Sequence, residues 1–153
     1  MQRLRWFGGL TLVACLGSAI TAADYPKHGS KPASAVGTWK LVTAKANGKA
    51  VDIPAGTTVL KHVTPTDFVF VYYTQQGLIT VAGGGHYTYD GTRYAESVEY
   101  GVGEGMAPYI GKTQVFTLRI ADGRWYQSGT ETDGTTVAEV WELARSAQHP
   151  ADH

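Results

Sequence analysis

From residue 36 onward the chain runs in short segments that alternate apolar and polar side chains, the period-two signature of half-buried β-strands. Eight segments stand out, at residues 36–45, 57–63, 67–73, 78–89, 92–101, 113–120, 124–130 and 135–143. Each is rich in Val, Thr, Tyr, Phe or Trp, and each is bounded by Gly, Asp or Pro. Asp90-Gly91, Asp122-Gly123 and Asp133-Gly134 lie between alternating runs, where a two-residue type I′ turn requires positive φ. Strands joined that tightly are antiparallel. Helical periodicity never extends over ten residues after the amino-terminal apolar segment, and Pro54, Pro65 and Pro108 fall between the strands. The pattern predicts an all-β domain over residues 36–144, an eight-stranded antiparallel up-and-down β-barrel. A two-sheet β-sandwich is the alternative that periodicity alone leaves open.

The amino terminus has a different pattern. Arg3 and Arg5 precede an apolar stretch at residues 6–20, and Thr21-Ala22-Ala23 forms a small-residue cleavage site before Asp24. Residues 1–23 read as a cleaved signal peptide, because the apolar stretch is shorter than the ~20 residues of a membrane-spanning helix. Leu12-Val13-Ala14-Cys15 resembles a lipobox, which makes Cys15 an alternative lipidation site and the one expected route to a membrane. Residues 24–35, with Pro26, Gly29 and Pro32, read as a flexible leader, and residues 145–153 as a polar tail. The expected location is the periplasm or the exterior. Without Cys15 the mature chain has no thiol, so thiol catalysis and disulfides are excluded.

Composition narrows the classes further. Thirteen basic residues balance thirteen acidic ones, so no charge excess points to nucleic acid. The 19 glycines and nine tyrosines suit short strands and tight turns.

Gly37-Thr38-Trp39, at the start of the first strand, resembles the Gly-x-Trp signature of lipocalins and their calycin relatives. Residues 61–68 (KHVTPTDF) and the ending Glu139-Val140-Trp141-Glu142-Leu143 resemble small bacterial lipocalin-like proteins of the DUF4488 type. The resemblance implies structural roles for Gly37 and Trp39, with the tryptophan packing across the closed end of the barrel. The chain departs from secreted animal lipocalins in lacking their disulfide and the long helix after the barrel.

Alternation also sorts the polar residues by face. In the last strand Glu139 lies on the face of Val137, Trp141 and Leu143; in the fifth, Glu96 lies with Tyr94, Val98 and Tyr100. In the second strand Lys61 is taken to mark the outer face, which turns His62 inward. His62, Glu96 and Glu139 are therefore the candidates for acid–base chemistry, since burial raises a carboxyl pKa and an imidazole partner favours its ionised form. Tyr87, Tyr89, Tyr94, Trp125 and Trp141 join them as candidate ligand-binding residues, with barrel core as the competing role. Trp125 and Tyr126 are chain neighbours, so only one faces inward.

Gly83-Gly84-Gly85 lacks the Lys-Ser or Lys-Thr of a phosphate loop and marks a bulge or bend. His62 and His86 lack a third ligand, so no metal and no cofactor is expected. Residues 101–112, with Met106, Pro108 and Tyr109, form the longest connection and a candidate lid. Three functions follow: a barrel binding a small, partly apolar ligand, a barrel enzyme using a buried His/Glu pair, or a filled structural barrel of the cell envelope. The oligomeric state is left open.

Overall fold

The computed structural model describes residues 34–144. The signal peptide, Cys15, most of the leader and the polar tail lie outside the described residues.

Nine strands follow in order: β1 (Gly37–Ala46), β2 (Lys49–Ala50), β3 (Thr57–Val63), β4 (Asp67–Thr74), β5 (Ile79–Tyr89), β6 (Arg93–Val102), β7 (Thr113–Ala121), β8 (Arg124–Thr130) and β9 (Thr136–Leu143). Every neighbouring pair is antiparallel, and β9 returns to pair with β1 from Trp39↔Leu143 to Ala46↔Val137. β2 is a two-residue spur folded back on the tip of β1, so the wall is a closed eight-stranded meander. A sandwich would need two separate sheets; here one sheet closes on itself and leaves no long free edge. Strand limits agree with the sequence pattern to within one residue.

Alternation decides the inner face. On β7, Gln114, Phe116 and Leu118 are buried while Val115, Thr117 and Arg119 are exposed. On β8, Trp125 and Gln127 are buried, and Tyr126 points outward beneath the Arg119 guanidinium. The lower half of the interior is packed solid. Trp39 meets Trp125 edge-on at 5.4 Å between ring centroids, and Tyr94 meets Trp125 at 4.9 Å. Phe68, Val63 and Leu118 complete this floor. The Trp39 indole N–H donates to the Ala35 carbonyl at 2.8 Å, which fastens the entering chain beneath the barrel. Ala35, expected as the end of a flexible leader, is buried there.

Three irregularities interrupt the register of the wall, one of them between Tyr72 and Tyr73 of β4, opposite which Thr80 of β5 is the extra residue. Register shifts by a residue between Gly84 and Gly85 against β6, a bulge where a side chain at Gly85 would collide with the Ser97 carbonyl. The opposite side bends at the third irregularity, between Leu41 and Thr43 of β1.

The turns differ from expectation at two places. Asp122-Gly123 has positive φ at both residues, 53° and 70°, as a type I′ turn requires. Asp90-Gly91 instead belongs to a three-residue loop, in which the Asp90 carboxylate accepts from the Thr92 and Arg93 amides. Asp133-Gly134 lies in a five-residue loop, with the Asp133 carboxylate accepting from Thr135 N. In both loops only the glycine has positive φ, because the aspartate side chain takes over turn bonds that a shorter loop makes with backbone. A second two-residue turn of the Asp122-Gly123 kind, Asn47-Gly48 with φ of 51° and 76°, joins β1 to β2.

Trp39 holds the floor through both its ring and its N–H. Trp39→Ala is expected to remove about 3–5 kcal/mol of stability. Urea unfolding followed by circular dichroism should show a lower midpoint with an unchanged slope.

Candidate functional site

Above the aromatic floor the barrel is not filled. A cavity of about 400 Å³ opens toward the end that carries the longer loops. The inner faces of β3 to β9 line it, β5 through Val81, with the connection at residues 103–112 across part of its mouth.

At the bottom of the cavity lies Lys61. Its neighbours Val59 and Val63 face the core, so strand alternation places Lys61 inside with them, and its side chain is only 4% exposed. Nζ donates to Glu96 Oε1 at 2.6 Å, a buried ion pair spanning from β3 to β6 across the interior. Aromatic rings surround the ammonium: Trp141 at 4.9 Å, Trp125 at 5.3 Å and Tyr94 at 5.7 Å to their centroids. Charge and ring quadrupoles together replace the hydration that Lys61 gives up.

Glu139 is the second interior carboxyl. Its Oε2 accepts from Trp141 Nε1 at 3.0 Å and Gln127 Nε2 at 3.3 Å, and Gln127 in turn accepts from Trp125 Nε1. Burial pushes the Glu139 carboxyl above the usual carboxylate range; nearby Glu96 and Glu131 push it further, against the opposing pull of Lys61 and the Trp141 N–H. Glu131, from the β8–β9 loop, is also raised, first by burial. Tyr72 on β4 is pushed up to about 12 by burial and by the charges of Glu139 and Glu131. The Tyr94 hydroxyl is fully buried without a hydrogen-bond partner among the described residues, and burial together with Glu96 raises its pKa strongly.

The connection over the mouth is docked. The Met106 methyl group fills the space that side chains would occupy at Gly83 and Gly101. The Tyr109 hydroxyl reaches Glu131 Oε2 at 2.9 Å and Asp133 Oδ2 at 3.2 Å, bridging to the β8–β9 loop. Glu104 stands at the entrance.

The expected site residues therefore separate. Glu96, Glu139 and Trp141 line the cavity. Tyr94 and Trp125 lie in the floor. Tyr87 and Tyr89 pack from the closed end, their hydroxyls donating to the Thr64 and Gly91 carbonyls. His62 is on the outer face, beside Thr38 at 3.0 Å. The inward expectation for His62 and the outward one for Lys61 are both reversed, because Val59 and Val63 set the face and Glu96 supplies the lysine with a buried partner. The His/Glu acid–base pair is consequently not assembled. His86 is also outside, paired with Glu99 at 2.8 Å. Lys61, Tyr72, Gln114, Gln127 and Glu131 were not anticipated; the alternation of β3, β7 and β8 carries the signal for Lys61, Gln114 and Gln127.

Neither a protein-family model nor a curated protein matches this chain. Among solved structures it is similar to one described as a redesigned beta barrel, at 16% sequence identity and a TM-score of 0.45, covering 72% of this chain and 91% of that one. The likeness is one of architecture.

Two stability tests follow. Lys61→Met alone strands Glu96 and is expected to lose about 3–5 kcal/mol, while the double variant Lys61→Met/Glu96→Leu recovers most of that loss; chemical denaturation of all three proteins reads it. For Glu139, a folded-state pKa above the unfolded value gives stability that is present at low pH and lost as pH rises through the folded pKa. Glu139→Gln should therefore melt above the parent protein at about pH 8, with the difference closing by about pH 4.

Proposed function

We propose that this is an exported, lipocalin-like binding protein that holds one small molecule with an apolar body and a polar head inside its barrel. The carrying observation is the cavity itself: about 400 Å³ of space above a packed floor, with charged side chains turned into it. Soluble ligand sites fall in the range of about 300–1,000 Å³ and combine apolar walls with a few placed polar groups. Here Phe70, Val98, Phe116 and Trp141 supply the walls, and Glu139, Gln127 and Gln114 the polar groups. A protein interior normally closes such space, because unfilled volume costs about 1 kcal/mol for each missing methyl-sized group. Retaining it against that cost supports a ligand role over a purely structural barrel. The amino-terminal pattern and the Gly37-Thr38-Trp39 start support export and the lipocalin-like reading.

Native mass spectrometry of the protein purified from its own host should show a small-molecule adduct that leaves on denaturation. Val81→Trp, which projects a large ring into the cavity, should abolish the adduct while the protein remains folded by circular dichroism. The reading fails if the native protein never retains a molecule and binds no apolar probe stoichiometrically. The same spectra identify the mature amino terminus as Asp24 or a lipidated Cys15.

A further inference from the structure

The cavity carries an imbalance of charge. Four carboxylates line it, from Glu96, Glu104, Glu131 and Glu139, against the single ammonium of Lys61. Lys61 sits on Glu96 at 2.6 Å, so its charge is already matched. Glu139 receives only neutral donors, the Trp141 and Gln127 N–H groups, and both fall on Oε2. Its Oε1 has no hydrogen-bond partner among the described residues. Glu131 likewise receives a neutral donor, the Tyr109 hydroxyl. An ionised carboxylate half-withdrawn from water gains from a counter-charge, and Lys61, engaged with Glu96, offsets only part of what raises the Glu139 pKa.

We infer that the ligand is an organic cation, a small amine or quaternary ammonium with an aromatic or apolar body, whose charged nitrogen seats at Glu139 and Glu131 beside the rings of Trp141 and Tyr72. This deepens the proposal of a ligand-binding cavity and rests on it. The barrel already contains the same chemistry once: the Lys61 ammonium lies against a carboxylate at 2.6 Å and over Trp141, Trp125 and Tyr94 at 4.9 to 5.7 Å. A ligand nitrogen at Glu139 repeats that arrangement one level higher, with an unmatched carboxylate as its partner. A ligand anion would meet four carboxylates and one ammonium already engaged, and a neutral ligand could offer Glu139 Oε1 a donor but no counter-charge. Burial raises the pKa of both Glu139 and Glu131, and a cation seated between them would favour their ionised forms.

Three probes of one shape separate the possibilities: tryptamine, neutral tryptophol and anionic indole-3-propionate, titrated calorimetrically into the mature protein. Tryptamine is expected to bind at least tenfold tighter than tryptophol, and indole-3-propionate weaker than both. Glu139→Gln should reduce tryptamine affinity about tenfold and leave tryptophol affinity unchanged; Glu131→Gln should act in the same direction. Glu139 is faced by Lys61 of β3, Tyr72 of β4, Glu96 of β6, Gln127 of β8 and Glu131 of the β8–β9 loop. Lowering the pH through the ionisation of Glu139 and Glu131 should weaken tryptamine and spare tryptophol. Equal or tighter binding of tryptophol or indole-3-propionate would overturn the cation inference while leaving the cavity as a ligand site. Binding of none of the three, in a protein that melts cooperatively, would overturn both. Retained tryptamine affinity in Glu139→Gln, whose folding is checked by its melting curve, would also overturn the inference.

Discussion

The ion pair between Lys61 and Glu96 is the interaction on which the interior is organised. It joins β3 to β6, two strands separated along the wall by β4 and β5, so it reaches across the barrel and not along it. Its energetic meaning lies less in net stabilisation than in what any other arrangement would leave behind. A one-residue slip of either strand would turn its charge outward and bury the partner alone, at a cost of several kcal/mol. Lys61 and Glu96 thus fix each other's register across the fold. The rings of Trp125, Tyr94 and Trp141 around the ammonium make this a fully surrounded charge.

That layer also divides the barrel into two unlike halves. Below it, Trp39, Trp125 and Tyr94 pack edge to face in a core shared with Phe68, with Ala35 sealing the end. Above it, the strand faces carry Gln127, Glu139 and Gln114 in place of further large apolar residues, and space remains. The wall adapts to this division. The bulge at Gly84 and Gly85 bends β5 against β6, and the bare backbone at Gly83 and Gly101 admits the Met106 methyl group. The connection across the mouth is held by fitting one apolar side chain into space vacated by two others. The floor gives rigidity, and the upper half keeps volume and charge.

Much of this architecture is legible along the chain because strand alternation is strictly local. The barrel strands, the inward faces of Glu96, Glu139 and Trp141, and the bend at the glycine run follow from period two and from glycine's small size. What escaped depends on contacts between distant residues. Lys61 reads as an outward residue by its type, yet its face is set by Val59 and Val63 and its charge is answered by Glu96, 35 positions later. His62, the chain neighbour of Lys61, takes the opposite face and is exposed. Tyr87 and Tyr89 do face the core, but height along the barrel decides between floor and cavity, and height depends on the register of the whole wall. Asp90 and Asp133 carry the residue type of a two-residue turn, and their own carboxylates stabilise longer ones. Asn47-Gly48 carries the same turn signal, but the strand after it is only two residues long, too short to show alternation.

Glu139 shows why an interior of this kind persists. Stability alone would favour a neutral side chain there, since burial and the neighbouring charges of Glu96 and Glu131 oppose its ionisation. The surrounding groups nevertheless orient it: Trp141 and Gln127 both donate to one oxygen, and the other has no donor among the described residues. Under the proposed binding role, orientation of that sort would hold the carboxyl in place before a ligand arrives and lower the ordering cost of binding. The Trp125–Gln127–Glu139–Trp141 chain of hydrogen bonds ties that carboxyl to the same aromatic floor that surrounds Lys61. The rigidity of the closed end is thereby transmitted to the open one. A stable floor is what allows the barrel to keep a carboxyl of raised pKa in its cavity.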